Sequence, residues 1–206
     1  MKIKICGLTN RDDLQFCQKL DIDYVGFIFH PPSPRNVSPS LVATWEQKGE
    51  KRVGVFVRQD ADQVLEIMDM AGLDLAQLHG DQDEDFCLKI GPSRVIKVLW
   101  PERFSTPSEL QKEMERFAPF CAYFLLDAGK YGGGHGRRMN CSFLNQIKPL
   151  KPLFLAGGLD IRILDELGES LGKKVFALDF NSGVEMRPGV KDKQKILELV
   201  QSLKGE

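Results

Sequence analysis

Short apolar runs alternate with longer segments of mixed apolar and charged residues from one end of the chain to the other. The short runs are rich in Val, Ile, Leu and Phe, which favours β-strands. Such alternation is typical of α/β proteins with parallel strands. We predict eight strands, at Lys2 to Cys6, Asp23 to Phe29, Arg52 to Val57, Leu75 to Leu78, Val95 to Leu99, Tyr123 to Asp127, Leu153 to Ala156 and Val175 to Asp179.

The segments between these runs carry apolar residues at helical spacing. The clearest are Ala61 to Ala71 and, near the C-terminus, Lys191 to Leu203. In both, apolar residues recur every three to four positions, as on one face of a helix. Each helix can return the chain to a parallel neighbouring strand.

Eight βα units in 206 residues leave about 26 residues per unit, and eight is the number that closes a parallel barrel. A doubly wound nucleotide-binding sheet is expected to place G-x-G-x-x-G after its first strand. Here Cys6-Gly7-Leu8-Thr9-Asn10 stands at that point, and no Pro-rich or Ser-rich linker divides the chain. We predict one α/β domain over residues 1–206, a (β/α)₈ TIM barrel.

The composition indicates which classes of partner and which compartment we expect for the chain. Its 28 Lys and Arg nearly balance its 29 Asp and Glu, so no overall basic field attracts nucleic acid or an anionic membrane. The apolar runs fall short of the roughly 20 residues that span a bilayer, and no secretory signal follows Lys2 and Lys4. Five cysteines without a CxxC pair fit reduced thiols. We expect a cytoplasmic monomer or homodimer that binds neither nucleic acid nor membrane.

Three chemically useful side chains follow predicted strands, where the active site of such a barrel is built. Cys6 ends the first strand, Asp127 ends the sixth, and Arg35 lies in the Pro-rich loop after the second. A thiol and a carboxyl group facing one substrate make a general base and acid, and arginine offers a planar fork for an anion. The structural alternatives are a small buried residue for Cys6, a loop cap for Asp127 and a surface ion pair for Arg35.

Two glycine-containing loops indicate a phosphate site of the kind that phosphate-binding barrels carry. Gly157 and Gly158 follow the seventh strand, and Ser182 and Gly183 follow the eighth. Loops after these two strands commonly hold phosphate on backbone N–H groups. We therefore expect a phosphorylated small-molecule substrate.

The remaining candidates are weaker. His79 ends the fourth strand, where it either touches substrate or is hydrogen-bonded for structure. The spacing of the three histidines does not suit a helical zinc site, and we predict no metal. Gly132-Gly133-Gly134 indicates a mobile loop at the barrel mouth, and Arg137-Arg138 a solvated loop.

Seven motifs, in order along residues 2 to 192, resemble those of the phosphoribosylanthranilate isomerase family of tryptophan biosynthesis. They are Lys4-Ile5-Cys6-Gly7-Leu8-Thr9; Val25-Gly26-Phe27 with Ser33-Pro34-Arg35; Val53-Gly54-Val55-Phe56; Gln77-Leu78-His79-Gly80; Leu126-Asp127; Ala156-Gly157-Gly158-Leu159; and Ser182-Gly183-Val184-Glu185 closing with Pro188-Gly189-Val190-Lys191-Asp192.

The resemblance implies a (β/α)₈ barrel and an Amadori rearrangement without a cofactor. The substrate would be N-(5-phosphoribosyl)anthranilate and the product 1-(2-carboxyphenylamino)-1-deoxyribulose 5-phosphate. Asp127 matches the family's general acid, Cys6 its general base and Arg35 the position associated with the anthranilate carboxylate. The phosphate-binding positions match Gly157, Gly158, Ser182 and Gly183.

The chain departs from the family pattern at two places. Gly132-Gly133-Gly134-His135-Gly136 runs into Arg137-Arg138-Met139-Asn140 where Gly-Gly-Thr-Gly or Gly-Gly-Ser-Gly is expected to lead towards Phe-Asp-Trp, and Asn181 stands where serine is usual. The alternatives are the related histidine-pathway aminoaldose-phosphate isomerase, a bifunctional barrel, a non-catalytic phosphosugar-binding barrel and a redox sensor using Cys6. Cys6 argues against the histidine-pathway enzyme, which has aspartate as base, and Cys6 together with Asp127 argues against a non-catalytic role.

Overall fold

A computed structural model of the chain describes residues 1–127, 141–162 and 173–204. Eight parallel strands pair in chain order, and β8 closes the barrel against β1, which confirms the predicted fold. The strands are β1 (Lys2–Ile5), β2 (Tyr24–Ile28), β3 (Lys51–Phe56), β4 (Leu75–Leu78), β5 (Val95–Leu99), β6 (Tyr123–Asp127), β7 (Leu153–Ala156) and β8 (Ala177–Phe180).

Helices cover the outside of the barrel, and local sequence signals set their ends. The predicted helix at Ala61–Ala71 begins with a capping box between Asp60 and Gln63 and ends at Gly72, whose φ of 61° is left-handed. No helix among the described ranges is long and apolar enough to cross a membrane. The helices are α1 (Arg11–Lys19), α2 (Pro39–Ala43), α3 (Ala61–Ala71), α4 (Glu84–Ile90), α5 (Pro107–Phe117) and α6 (Lys193–Lys204).

The C-terminal segment differs from the prediction by a short hairpin. Strands β9 (Glu185–Arg187) and β10 (Val190–Lys191) pair antiparallel after β8. Lys191 therefore lies in a strand, and α6 begins at Lys193 instead of Lys191. The carboxylate of Asp192 accepts hydrogen bonds from the backbone N–H groups of Gln194 and Lys195, which explains why the helix begins there. Strand β8 likewise begins at Ala177, two residues after the predicted start.

Two cores lie on the two faces of the barrel wall, because side chains alternate along each strand. Outward side chains such as Ile3 and Ile5 pack under the helices. Inward side chains form a second cluster, in which Tyr24 and Phe154 make an edge-to-face contact at 5.1 Å between ring centroids. These aromatic residues lie towards the N-terminal ends of the strands. The opposite end of the barrel is lined by polar groups.

Candidate active site

A cavity of about 320 Å³ opens at the C-terminal ends of the barrel strands. Side chains two positions apart on a strand point the same way, so the inward register of each strand continues into this cavity. On β4, for example, buried Leu75 is followed by Gln77 and His79 at the cavity wall. The polar lining comprises Cys6, His30, Ser33, Arg35, Gln77, His79, Asp127, Asp179, Asn181 and Ser182, together with backbone at Gly157 and Gly158.

Cys6 lines the cavity and is 4% exposed. Gly26 on β2 makes room for it, because a Cβ at Gly26 would lie 2.7 Å from the Cys6 Sγ. Burial raises the pKa of the thiol above its ordinary value, whereas the positive charges of Lys4 and Lys191 act to lower it. A general base is favoured by a lowered thiol pKa, and the protein groups around Cys6 do not provide one.

A buried ion pair that the sequence analysis missed lies on the strands beside Cys6. Lys4 Nζ is 2.7 Å from Asp179 Oδ2, and the two residues are register partners on β1 and β8. Lys4 is fully buried and Asp179 is 6% exposed. The available signal was a charged residue inside each of the apolar runs Ile3-Lys4-Ile5 and Leu178-Asp179-Phe180. Such interruptions mark buried charges that need a partner.

Asp127 and His79 lie next to each other in the lining of the cavity. His79 Nε2 lies 3.7 Å from Asp127 Oδ2, which is beyond hydrogen-bonding distance. Burial, together with the positive charge of Lys4, lowers the pKa of His79 to about 4, so the imidazole is neutral near pH 7. The ring packs edge-on against Trp100 at 5.2 Å between centroids. The structure therefore places a neutral imidazole beside the predicted acid.

Arg35 lines the cavity and is also tied to Glu185. Its Nε lies 2.9 Å from Glu185 Oε1 and its Nη2 lies 2.7 Å from Glu185 Oε2, a two-pronged pair. Lys191 Nζ contacts the same carboxylate at 2.9 Å. From sequence, Arg35 is expected to bind a substrate anion or to form a surface ion pair. Neither the Glu185 carboxylate nor the buried Lys191 could be predicted as its neighbour, because only the fold brings the β9–β10 hairpin to the loop after β2.

The predicted phosphate loops lie next to each other. Gly157 and Gly158 have φ values of 106° and 66°, a left-handed backbone that favours glycine. Across from them, a Cβ at Gly183 would meet the carbonyl oxygen of Leu159 at 1.9 Å. Glycine at this position therefore lets the β8 loop approach the β7 loop. Ser182–Val184 form a single 3₁₀ turn, whose first N–H groups lack acceptors within the turn.

Asn181, which replaces the serine usual in the family pattern, has a contact of its own. Its side-chain oxygen accepts a hydrogen bond from Lys191 Nζ at 3.1 Å. The same oxygen would lie 2.7 Å from a Cβ at Gly7, whose φ is 75°. Asn181 thus joins the loop after β1 to the β9–β10 hairpin.

Several predicted features lie outside the described residues. They are the triple glycine at 132–134, His135 and Arg137-Arg138 with the atypical motif around them. His30 lines the cavity. Across residues 1–127, 141–162 and 173–204, no group of three or more His, Cys, Asp or Glu side chains is arranged to hold a metal.

Comparison with known proteins gives one consistent result. The family model described as N-(5'phosphoribosyl)anthranilate (PRA) isomerase matches residues 3–202. The N-(5'-phosphoribosyl)anthranilate isomerase of Maridesulfovibrio salexigens is 44% identical over 194 residues, which cover 94% of both chains. The protein of the same name from Desulfovibrio desulfuricans is 45% identical over 197 residues, covering 95% of this chain and 92% of that one.

Solved structures agree with the sequence relatives. The phosphoribosyl anthranilate isomerase of Thermus thermophilus superimposes with a TM-score of 0.83 at 30% identity, covering 100% of this chain and 99% of that chain. A phosphoribosyl anthranilate isomerase in complex with reduced 1-(o-carboxyphenylamino)-1-deoxyribulose 5-phosphate superimposes with a TM-score of 0.78 at 29% identity, covering 100% of both chains.

Proposed function

This chain belongs to the N-(5'-phosphoribosyl)anthranilate isomerase family, and we propose that Cys6 and Asp127 perform its isomerisation as general base and general acid. The reaction converts an aminoaldose phosphate into the isomeric aminoketose phosphate. It requires one proton to be donated to the ring oxygen and one to be removed from C2. The observation that carries the assignment is that this thiol, directly after β1, and this carboxyl group, at the end of β6, line one cavity.

Asp127 acts first in this scheme. In its protonated form it donates to the furanose ring oxygen while the bond from that oxygen to C1 breaks. The electron pair of the anthranilate nitrogen forms an iminium with C1, which makes the hydrogen on C2 acidic. The position of Asp127 at the end of β6, 9% exposed, supports a role at the reacting ring.

Cys6 acts second, and the intermediate itself favours its charged form. The thiolate removes the C2 proton, and the electrons of that bond neutralise the iminium to give an enolamine, which tautomerises to the ketone. Burial raises the pKa of Cys6, so the protein alone favours the neutral thiol near neutral pH. A cationic iminium beside the sulfur opposes that effect at the step that needs the base.

The two anionic ends of the substrate are assigned to separate groups that line the cavity. Arg35 is proposed to contact the anthranilate carboxylate, and the backbone N–H groups of Gly157, Gly158, Ser182 and Gly183 to hold the phosphate. Two features support this division. The Arg35 guanidinium is held in one plane by Glu185, and glycines let the two loops lie close together. His79, as a neutral imidazole, is proposed to contact the ribose part.

A direct assay tests the function. Purified protein is mixed with freshly made N-(5'-phosphoribosyl)anthranilate, and the loss of substrate fluorescence is followed while the ketose product is identified by chromatography. Product is expected at a rate proportional to enzyme concentration. The corresponding histidine-pathway aminoaldose phosphate serves as the control substrate and should not react. Folded protein that gives no ketose product would refute the proposed function.

The proposed setting is the cytoplasm, with the protein as a monomer or a homodimer. Cys6, Cys17, Cys87 and Cys121 are free and buried, which supports a reducing compartment. Light scattering after size exclusion distinguishes the two oligomeric states.

A further inference from the structure

The buried pair formed by Lys4 and Asp179 has no role in the scheme above, although it lies directly beside Cys6. Lys4 on β1 and Cys6, the residue directly after β1, are two positions apart and share the inward face, while Ile3 and Ile5 pack outside the barrel. Asp179 lines the same cavity as Cys6 and holds Lys4 Nζ at 2.7 Å. Barrel interiors are usually filled by branched apolar side chains, so a charged pair here is unusual.

A buried ion pair such as Lys4 and Asp179 is a costly way to fill the interior of a barrel. Removing two charges from water is expensive, and replacing a buried ion pair by apolar residues is often neutral or stabilising. The pair is therefore weak evidence for stability. The pair lies next to the Cys6 sulfur, which must carry a negative charge when it acts as a base. The charges of the pair can therefore act on that reaction step.

We propose that Lys4, anchored by Asp179, is a positioning residue that stabilises the thiolate of Cys6 and so sets how readily Cys6 accepts a proton. This inference rests on the proposed role of Cys6 as base. Lys4 supplies the nearby positive charge, and Asp179 both fixes the position of that charge and moderates its effect.

The charges around the sulfur come from several elements. Lys4 on β1 and Lys191 on β10 favour the thiolate, Asp179 on β8 opposes it, and Arg35 in the loop after β2 adds positive charge. Asp127 on β6 and the neutral His79 on β4 face the same cavity. Lys191 and Arg35 share Glu185 as a counter-ion, whereas Lys4 is balanced by Asp179.

The two members of the pair should therefore have opposite effects, which a purely structural role does not produce. Lys4→Met removes the positive charge with little change in length, and Asp179→Asn removes the negative charge while keeping the shape. The rate at which iodoacetamide alkylates Cys6 follows its thiolate fraction. It can be measured from about pH 6 to about pH 10 by mass spectrometry of the Cys6 peptide, without substrate.

Lys4→Met should slow alkylation about tenfold at a given pH, and Asp179→Asn should accelerate it. The matched control is Lys97→Met, because Lys97 is also buried on a strand but lies against Phe117 outside the barrel. That variant should leave Cys6 alkylation unchanged. Equal rates in all variants, or shifts of the same sign for Lys4→Met and Asp179→Asn, would overturn the proposal.

If either single variant does not fold, the double variant still tests the proposal. The double variant Lys4→Met/Asp179→Asn leaves a neutral pair and should still alkylate more slowly than the native protein, since the Lys4 charge acts on the thiol more strongly than that of Asp179. An unchanged or faster rate in the folded double variant contradicts the proposal. Alkylation does not depend on turnover, so a failure of the proposed function is seen separately in the isomerase assay.

Discussion

Arg35 and Glu185 are 150 residues apart in sequence and form a two-pronged ion pair at the edge of the cavity. The pair uses Nε and Nη2 of Arg35, while Nη1 makes no hydrogen bond to a described residue. Burial acts to raise the pKa of Glu185, but the hydrogen bond from Arg35 and the charge of Lys191 hold it below its ordinary value. Glu185 is therefore ionised at neutral pH and keeps the guanidinium plane fixed.

Glu185→Gln should raise KM about tenfold with a smaller change in kcat, because Arg35 loses its orientation while the proton-transfer groups stay in place. Steady-state kinetics measures both constants. Glu113→Gln is the control, since it weakens a similar pair with Arg116 on the exposed face of α5. A KM for Glu185→Gln equal to the native value would show that Glu185 does not contribute to substrate binding. It would also argue against Arg35 as the carboxylate contact.

Gly26→Ala should lower kcat because the added methyl group displaces the base. The new Cβ would lie 2.7 Å from Cys6 Sγ and 3.0 Å from its Cα, so the thiol side chain has to move. We expect a loss of about 10²-fold in kcat, the scale associated with a misplaced catalytic group. Gly72→Ala is the comparison: it strains a left-handed backbone with nothing within 4 Å and should affect stability alone. Native kcat in folded Gly26→Ala would contradict the position assigned to the base.

Gly183→Ala should weaken phosphate binding. Its Cβ would meet the Leu159 carbonyl oxygen at 1.9 Å, so the β8 loop has to move away from the β7 loop. We expect inorganic phosphate to inhibit the variant about tenfold more weakly, since the backbone donors no longer converge. Gly91→Ala, at a left-handed position far from the cavity with open space around it, is the matched control. Equal inhibition constants for Gly183→Ala and the native enzyme would reject the phosphate assignment.

His79 makes the folded state sensitive to acid. Its pKa is about 4 in the folded protein, below the ordinary value of 6.5, so the unfolded chain binds the extra proton first as pH falls. Above about pH 6.5, where His79 is neutral in both states, it does not reduce the free energy of unfolding. As the pH falls from 6.5 towards 4, the unfolded chain binds the proton first and the free energy of unfolding decreases progressively. By about pH 5 the loss amounts to about 2 kcal/mol.

Urea denaturation of the native protein and of His79→Gln, at about pH 7 and about pH 5, isolates this contribution. The fall in unfolding free energy between the two pH values should be about 2 kcal/mol smaller in the variant. An equal fall in both proteins would show that His79 is not held neutral by its surroundings.

The barrel and the positions of Cys6 and Asp127 could be predicted because they depend on local pattern. Eight apolar runs separated by helical spacing predict eight βα units, and the C-terminal ends of the strands lie at the mouth of the barrel. The resemblance then supplied roles for residues that pattern alone left open. The same reasoning missed the hairpin at β9 and β10, because its strands are only three and two residues long.

Lys4 and Lys97 show that the sequence pattern does not predict which face of a strand points into the barrel. Both lie in apolar strands, between Ile3 and Ile5 and between Ile96 and Val98, and both are buried. Lys4 points into the barrel and meets Asp179, whereas Lys97 points outward, donates to the Gln82 carbonyl and lies over the Phe117 ring. Which face of a strand points inward depends on pairing with neighbours, which the sequence of one strand does not contain.

The role of Cys6 is tested by one comparison of turnover numbers, kcat for Cys6→Ala against kcat for Cys17→Ala. Cys17 is a buried free thiol on α1, packed outside the barrel, so its loss should leave kcat near the native value. If Cys6 removes the C2 proton, Cys6→Ala should fold normally and lose about 10²-fold or more in kcat. A folded Cys6→Ala protein that turns over N-(5'-phosphoribosyl)anthranilate at the native rate would contradict the proposed mechanism.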